Sequence, residues 1–351
     1  RGVDITRDEM REGSVPVYSS GGLLGHHNEA AAEGPGVIIG RKGSLGTCYF
    51  VEEDYWPHDT TLWVKDFHGN DPKFVYYFLT NLRVMHLDVG SANPTLNRNH
   101  VHPIKTVWPS LDEQRRIAEI LGTLDDKIDL NRKMNRTLEA MARAIFKSWF
   151  VDFDPVRAKM AGEEPVGVDP ETADLFPDRL VDSELGKIPE GWKVKPIGDL
   201  VKVYGGGTPR TKNPEYWEPA KHYWATPKDL SGQEMPILLD TERKISDAGR
   251  EKVTNGERPA GTLLMSKRAP IGYLAIAKVP TSINQGFIAI ECGDRVSNYF
   301  MLNWLHFNMD LVKSRANGST FKEISQREFK RILIAVPDAE LVSRYDELVE
   351  F

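Results

Sequence analysis

Two pairs of adjacent cations, Arg41-Lys42 and Lys267-Arg268, each follow a short apolar run and precede a glycine. A tight turn in that place presents positive charge to phosphate oxygens, which fix register on a duplex, or to the acceptor edge of guanine. The competing reading is a solvated hairpin loop. A second group lies in Gly90-Ser91-Ala92-Asn93-Pro94-Thr95-Leu96-Asn97-Arg98-Asn99-His100, which is dense in short hydrogen-bonding side chains. Asn93, Thr95, Asn97, Arg98 and Asn99 are its candidates for base contact, because asparagine can pair bidentately with an adenine edge. The counterpart runs from Arg315 to Lys322 and offers Arg315, Asn317, Ser319, Thr320 and Lys322. Polar turns that cap an element have the same composition. Arg210 and Lys212, just after Gly205-Gly206-Gly207, form a third group that suits a surface turn equally well.

Catalytic patterns fail at particular residues. Asn213-Pro214-Glu215-Tyr216 resembles the tetrapeptide of amino-methylating enzymes, but Glu215 stands where a second proline belongs and no glycine-rich strand-turn-helix for a methyl donor accompanies it. Gly205-Gly206-Gly207-Thr208 lacks the Lys-Ser/Thr of a phosphate-binding loop. Pro177-Asp178 with Glu184-Leu185-Gly186-Lys187 has an acid-to-lysine spacing one residue too long for a metal-dependent nuclease. His26-His27 and His100-Val101-His102 lack further ligand partners, and Cys48 and Cys292 lack metal-type spacing, so reduced, buried thiols and ordinary loop histidines are expected. The chain is expected to have no active site, metal or cofactor of its own.

The elements that must position these groups are organised around one long helix. From Ser110 to Trp149 apolar residues recur at Ile117, Leu121, Leu124, Ile128, Leu138, Ala142, Ile145 and Trp149, in alternating steps of four and three. That is a coiled-coil seam, and Asn131 and Asn135 occupy the two seam positions in its gap, where polar residues select a partner and register. Ser110 with Glu113 three residues on reads as a capping box. Residues 151–190 are rich in Pro, Gly and acid and read as an irregular connector.

A repeat flanks the helix. Gly36 through Gly46 aligns with Gly261 through Gly272, Gly90-Ser91 with Gly318-Ser319, Leu96-Asn97 with Ile324-Ser325, and Ile104 through Pro109 with Ile332 through Pro337. The order and nearly constant offset imply two homologous modules, each of short strands with a following helix at Lys73 to Leu82 or Asn298 to Phe307. The expected fold is α+β, two pseudo-repeated, mainly β modules joined by long antiparallel coiled-coil helices. The expected segments are a first module at 1–109, the long helix at 110–150, an acidic linker at 151–190, a second module at 191–337 and the start of a second helix at 338–351. The first module is expected to lack its beginning and the second helix most of its length.

With 351 residues and a net charge of −6, the chain can bury ample core but is no simple basic nucleic-acid binder, so the local distribution of cations must decide. No run approaches the eighteen or so apolar residues of a membrane span, and no apolar leader opens the sequence, which makes a soluble cytoplasmic protein the expectation.

The chain resembles the specificity subunits of type I restriction-modification systems. The likeness rests on Trp149 through Lys159, on Leu175-Phe176-Pro177, Ser183-Glu184-Leu185-Gly186 and Ile188-Pro189-Glu190-Gly191-Trp192, on Pro109-Ser110-Leu111-Asp112-Glu113-Gln114 opening the helix, and on Gly205 through Pro209 and Gly318 through Lys322. It covers essentially the whole chain. The second handover, Pro337-Asp338-Ala339-Glu340-Leu341-Val342, departs by lacking the Glu-Gln pair. The resemblance implies two target-recognition domains, each reading one half of a bipartite site in double-stranded DNA, spaced by two antiparallel helices. It implies that the helices recruit two modification subunits carrying S-adenosylmethionine, which methylate adenine, and that restriction subunits with ATP and Mg²⁺ can join. Glu113, Gln114, Arg115, Asn131 and Asn135 are the expected subunit contacts. The rival reading from another class is a scaffold whose paired modules bind peptides or other subunits.

Overall fold

The computed structural model describes residues 1–82, 84, 95–318 and 322–350. Asn93, Ser319 and Thr320 lie outside them. The chain divides into two compact units, Arg1–Arg132 and Lys133–Phe351, described separately below.

The first unit runs β1 (Val15–Ser19), β2 (Gly22–His27), β3 (Gly36–Gly40), β4 (Cys48–Val51), β5 (Trp56–Pro57), β6 (Thr61–Trp63), α1 (Pro72–Asn81), α2 (Arg98–Val101) and the first part of α3 (Leu111–Lys147). β3 lies between β4 and β6, antiparallel to both, while β1 pairs antiparallel with β2 and parallel with β5. Val37-Ile38-Ile39 is a continuous apolar run because β3 is covered on both faces. Ile38 packs with Val51 and Tyr55, and Ile39 with Leu45, Leu62 and Leu96. α1 starts where Asp71 accepts the Phe74 amide and Pro72 supplies a fixed φ. Its Phe74 and Val75 pack against Ala118 of α3.

The second unit takes the rest of α3 and continues through a π-helical turn (Ser148–Asp152), α4 (Asp154–Met160), α5 (Pro170–Asp174), β7 (Leu180–Ser183), β8 (Gly186–Pro189), β9 (Lys193–Pro196) and β10 (Val201–Gly205). Then come β11 (His222–Ala225), α6 (Pro227–Leu230), β12 (Ile237–Leu238), β13 (Lys244–Ile245), α7 (Asp247–Lys252), β14 (Leu263–Lys267), β15 (Ile271–Ala277), β16 (Thr281–Ile283) and β17 (Phe287–Cys292). α8 (Asn298–Phe307), α9 (Met309–Ser314), α10 (Gln326–Lys330), β18 (Leu333–Val336) and α11 (Ala339–Val349) close it. β14 lies between β15 and β17, antiparallel to both, and β11 pairs antiparallel with β13 and parallel with β16.

The two units share one strand plan. β1 to β6 followed by α1 match β11, β13, β14, β15, β16 and β17 followed by α8, in order and in pairing direction. The registers agree to the residue: Gly40 faces Thr61, and 226 positions later Ser266 faces Phe287. Gly46 and Gly272, also equivalent, both have positive φ, at 74° and 110°, which a glycine adopts without strain. The second module adds β10 and β12 at the two edges of its central sheet.

Residues 151–190 differ from the expectation. They form α4, α5 and the β7–β8 hairpin, and Val156, Phe176 and Ile188 are buried in the core of the second unit together with Phe146, Trp149, Trp192 and Tyr345. Their prolines do not break structure because Pro155 and Pro170 sit in the first turn of a helix, where no hydrogen bond is lost. Three well-spaced apolar residues outweigh a composition that reads as a linker.

Along α3 the seam changes character. Ile117, Leu124 and Ile128 are exposed, at 37%, 53% and 47%, whereas Ala142, Ile145 and Trp149 pack into the core of the second unit. α11 is part of that core through Leu341, Val342 and Tyr345, and the Tyr345 ring meets that of Phe146 edge-on at 5.6 Å. At 1.5 Å per residue the 37 residues of α3 extend about 55 Å.

Candidate nucleic-acid interface

In each module the cation pair sits at the turn that leaves the central strand, and two backbone hydrogen bonds fix that turn. The Arg41 amide donates to the Thr60 carbonyl at 3.0 Å and the Lys267 amide to the Gly286 carbonyl at 2.8 Å. From the other side, Leu96 N donates to Arg41 O at 2.8 Å and Ile324 N to Lys267 O at 3.1 Å. Leu96 and Ile324 are fully buried, so each anchors the segment that follows the module's helix beneath the cation turn. Lys42 bridges Thr95, and Arg268 bridges Glu323. The structure thus brings together the first two groups of candidates, turn cations and polar loop, in both modules.

In the first module Arg41 is half-buried, and Lys42, Asn97, Arg98 and Asn99 are exposed. Asn97 caps α2 by accepting the Asn99 amide at 3.0 Å, so part of its hydrogen-bonding capacity is used locally. Asp59, from the turn before β6, accepts Lys42 Nζ at 3.1 Å and Arg1 at 2.8 Å. Burial pushes the Asp59 carboxyl up, but the bonds from Lys42 and Arg1 prevail and hold it below the usual range. Asp59 escaped the sequence reading, since no spacing ties an acid to a cation seventeen residues earlier. Asp4, His58 and Asp59 also gather closely enough to be compared with a metal site, although Asp59 is already engaged by two cations.

In the second module Lys267 and Arg268 are half-buried and share one acid. Glu323 receives Lys267 Nζ at 2.6 Å and Arg268 Nη1 at 3.4 Å, and Lys267 foremost holds its carboxyl below the usual range. The Glu323 backbone also exchanges hydrogen bonds with Asn317, at 2.9 and 3.0 Å, which ties the 315–318 loop to the same turn. Arg315, Asn317 and Lys322 are exposed. The third group adjoins this edge: Thr208 Oγ1 donates to Gln285 Oε1 at 2.5 Å, beside Gly286, and the Arg210 carbonyl accepts the Trp217 indole at 3.2 Å while the Arg210 and Lys212 side chains are exposed.

The expected subunit contacts fall into two sets. Gln114 is 2% exposed and is used inside the first unit, its amide donating to Asn70 Oδ1 at 2.9 Å and Pro109 O at 3.0 Å and accepting Asp71 N at 3.0 Å. It is therefore a brace between the starts of α3 and α1 and does not present its amide to a partner. The Glu113 carboxylate accepts the Ser110 hydroxyl at 2.7 Å and the Ser110 amide at 2.9 Å, which lowers its pKa and supplies the Glu113 half of the expected capping box. Arg115 and Asn131 are exposed, and Asn135 lies within 2.9 Å of Met235 Sδ, on the loop after α6.

The chain matches the family model described as the type I restriction modification DNA specificity domain over residues 3–140 and 189–342, one match for each module and the helix that follows it. The chain belongs to this family. It is 38% identical over 178 residues to the MjaIX specificity subunit of Methanocaldococcus jannaschii, covering 48% of this chain and 41% of that protein. It is 28% identical over 297 residues to the HindI specificity subunit of Haemophilus influenzae, covering 73% of this chain and 64% of that protein. The chain thus spans less than two thirds of the length of these relatives. Its fold is similar to that of the S subunit of a type I restriction-modification system from M. genitalium, with a TM-score of 0.59 at 15% identity over all of this chain and 85% of that one. As a member of this family it is of the specificity-subunit type, α+β, with two recognition domains and a long helix. No helix among the described residues is long and apolar enough to cross a membrane.

Proposed function

We propose that this chain reads a bipartite site in double-stranded DNA, one half with each module, and positions two adenine-methylating subunits without doing chemistry itself. The observation that carries the reading is the recurrence, 226 positions apart, of one device: a cation pair on the turn leaving a central strand, stitched to a polar loop by an equivalent hydrogen bond. Two equivalent readers suit a split target, because the spacing between readers fixes the spacing between half-sites. The uncovered apolar residues on one face of α3, Ile117, Ile120, Leu124 and Ile128, suit a partner helix, and the exposed Arg115 and Asn131 suit its register and the recruited subunits. On this reading S-adenosylmethionine belongs to the modification subunits, and ATP and Mg²⁺ to restriction subunits where these join.

A salt-titrated binding assay tests it. Binding of duplex DNA that weakens steeply with salt, and that discriminates among sequences, supports the reading. No binding at low salt, even with modification subunits present, excludes it and leaves the scaffold of paired subunit-binding modules.

A further inference from the structure

We infer that Glu323 and Asp59 are specificity-determining residues that occupy the reader cations in place of DNA phosphate and so suppress binding to sequences other than the target. The inference rests on the DNA-reading proposal. Glu323 neutralises both cations of the second module, at 2.6 and 3.4 Å, and Asp59 takes Lys42 of the first at 3.1 Å while the Arg41 guanidinium reaches the Asp59 carbonyl at 3.5 Å.

The two acids do not occupy equivalent positions. The place of Glu323 is held in the first module by Thr95, and the place of Asp59 in the second by Gln285, since the bridges Lys42 to Thr95 and Arg268 to Glu323 correspond and Asp59 and Gln285 each directly precede the residue whose carbonyl receives the turn amide. An acid has therefore been supplied to each turn from a different element. That pattern follows the cations and not the common fold. A purely structural clamp would sit at one place in both modules.

The chemistry of the exchange is simple. A carboxylate on a lysine or arginine must be displaced before a phosphate oxygen can take the same donors. Non-specific duplex offers only phosphate contact, so the displaced acid subtracts from it in full. A target sequence adds base contacts that offset the displacement. The acids thus lower the affinity for duplex held by phosphate contact alone, while base contacts keep the target bound.

The chain carrying Glu323→Gln is compared with wild type for binding of a random-sequence 40-base-pair duplex as salt is varied. The expected result is binding roughly three- to tenfold tighter at low salt, with the slope of log affinity against log salt steeper by about one to two, as the released cations engage phosphate. Glu323→Asp, which keeps the charge, stays near wild type. Asp59→Asn in the other module gives the same sign independently, and decides the matter if Glu323→Gln does not fold. A slope that is unchanged or shallower in the neutral variants, with wild type binding normally, overturns the inference while leaving the DNA reading intact. Absence of duplex binding by wild type and variants alike overturns both.

Discussion

Replacing Gln114 by Leu separates a brace from a partner contact. The side chain is 2% exposed and makes three hydrogen bonds inside the first unit, so Leu keeps the volume and removes every polar partner. Asn70 Oδ1 keeps a donor in the Trp108 indole at 2.7 Å, which limits the loss there. Asp71 N and Pro109 O lose the Gln114 amide as partner. At about 1 kcal/mol for each bond lost, and more where a buried group is left unpaired, the first unit should lose roughly 2 to 4 kcal/mol. For a domain of this size that is a fall of about 6 to 12 °C in midpoint. Two units need not unfold together, so the assay is calorimetry or urea unfolding resolved into transitions, followed by fluorescence of Trp108, which sits at the perturbed junction. Loss confined to one transition, with the isolated chain affected, is expected. Wild-type stability in the isolated chain, with a defect only when modification subunits are added, would refute the brace and restore Gln114 as a contact residue.

Three further outcomes follow from the same structure. Asp346 lies against Ser297, which donates to it at 2.6 Å, and burial first, then Glu350, pushes its carboxyl up to about 6. A folded pKa above the unfolded value near 3.8 means that this group favours the folded state below about pH 4 and that the contribution is lost as pH rises through about 6; Asp346→Asn should therefore raise the midpoint of the second unit more at pH 7.5 than at pH 4.5, and an equal shift at both would contradict this. Trp149→Ala should cost the second unit about 3 to 5 kcal/mol by opening a cavity beside Phe176 and Tyr345, as measured by urea unfolding, whereas a cost below about 1 kcal/mol would return residues 151–190 to the status of a linker. Inserting four residues after Ile128 lengthens α3 by about 6 Å and should widen the gap between the two half-sites by one or two base pairs without changing either half, read from the methylated sites in cells; an unchanged gap would dispose of the helix as a ruler.

The sequence showed the repeat because the turn geometry is demanding: an apolar strand, two cations and a glycine at positive φ leave a local trace at Gly36–Gly46 and again at Gly261–Gly272. α3 was equally plain as a helix, since apolar residues in alternating steps of four and three share one helical face; that Ala142, Ile145 and Trp149 pack on the core of the second unit was the competing reading of the same seam. The middle segment was misread because composition is a local measure, while Val156, Phe176 and Ile188 are fixed by contacts with residues far along the chain. For the same reason neither Asp59 nor Glu323 was legible: each meets its cations only after the strands have paired. Gln114 was expected to contact a partner subunit, and its burial depends on the Asn70-Asp71 corner folding over it. Of the proposed readers, the turn cations rest on geometry that recurs in both modules, and Arg210 and Lys212 rest on exposure beside the second.

The most direct test is to express the chain with its cognate modification subunits in a host lacking adenine methylation at the relevant sites and to map N6-methyladenine along the genome by single-molecule sequencing. Methylation is expected at one split motif, two short fixed halves separated by a gap of constant length, with charge-removing changes at Lys42 and at Lys267-Arg268 each disturbing recognition of a different half. Methylation at a single uninterrupted motif, or none above background with the assembled subunits, would contradict it.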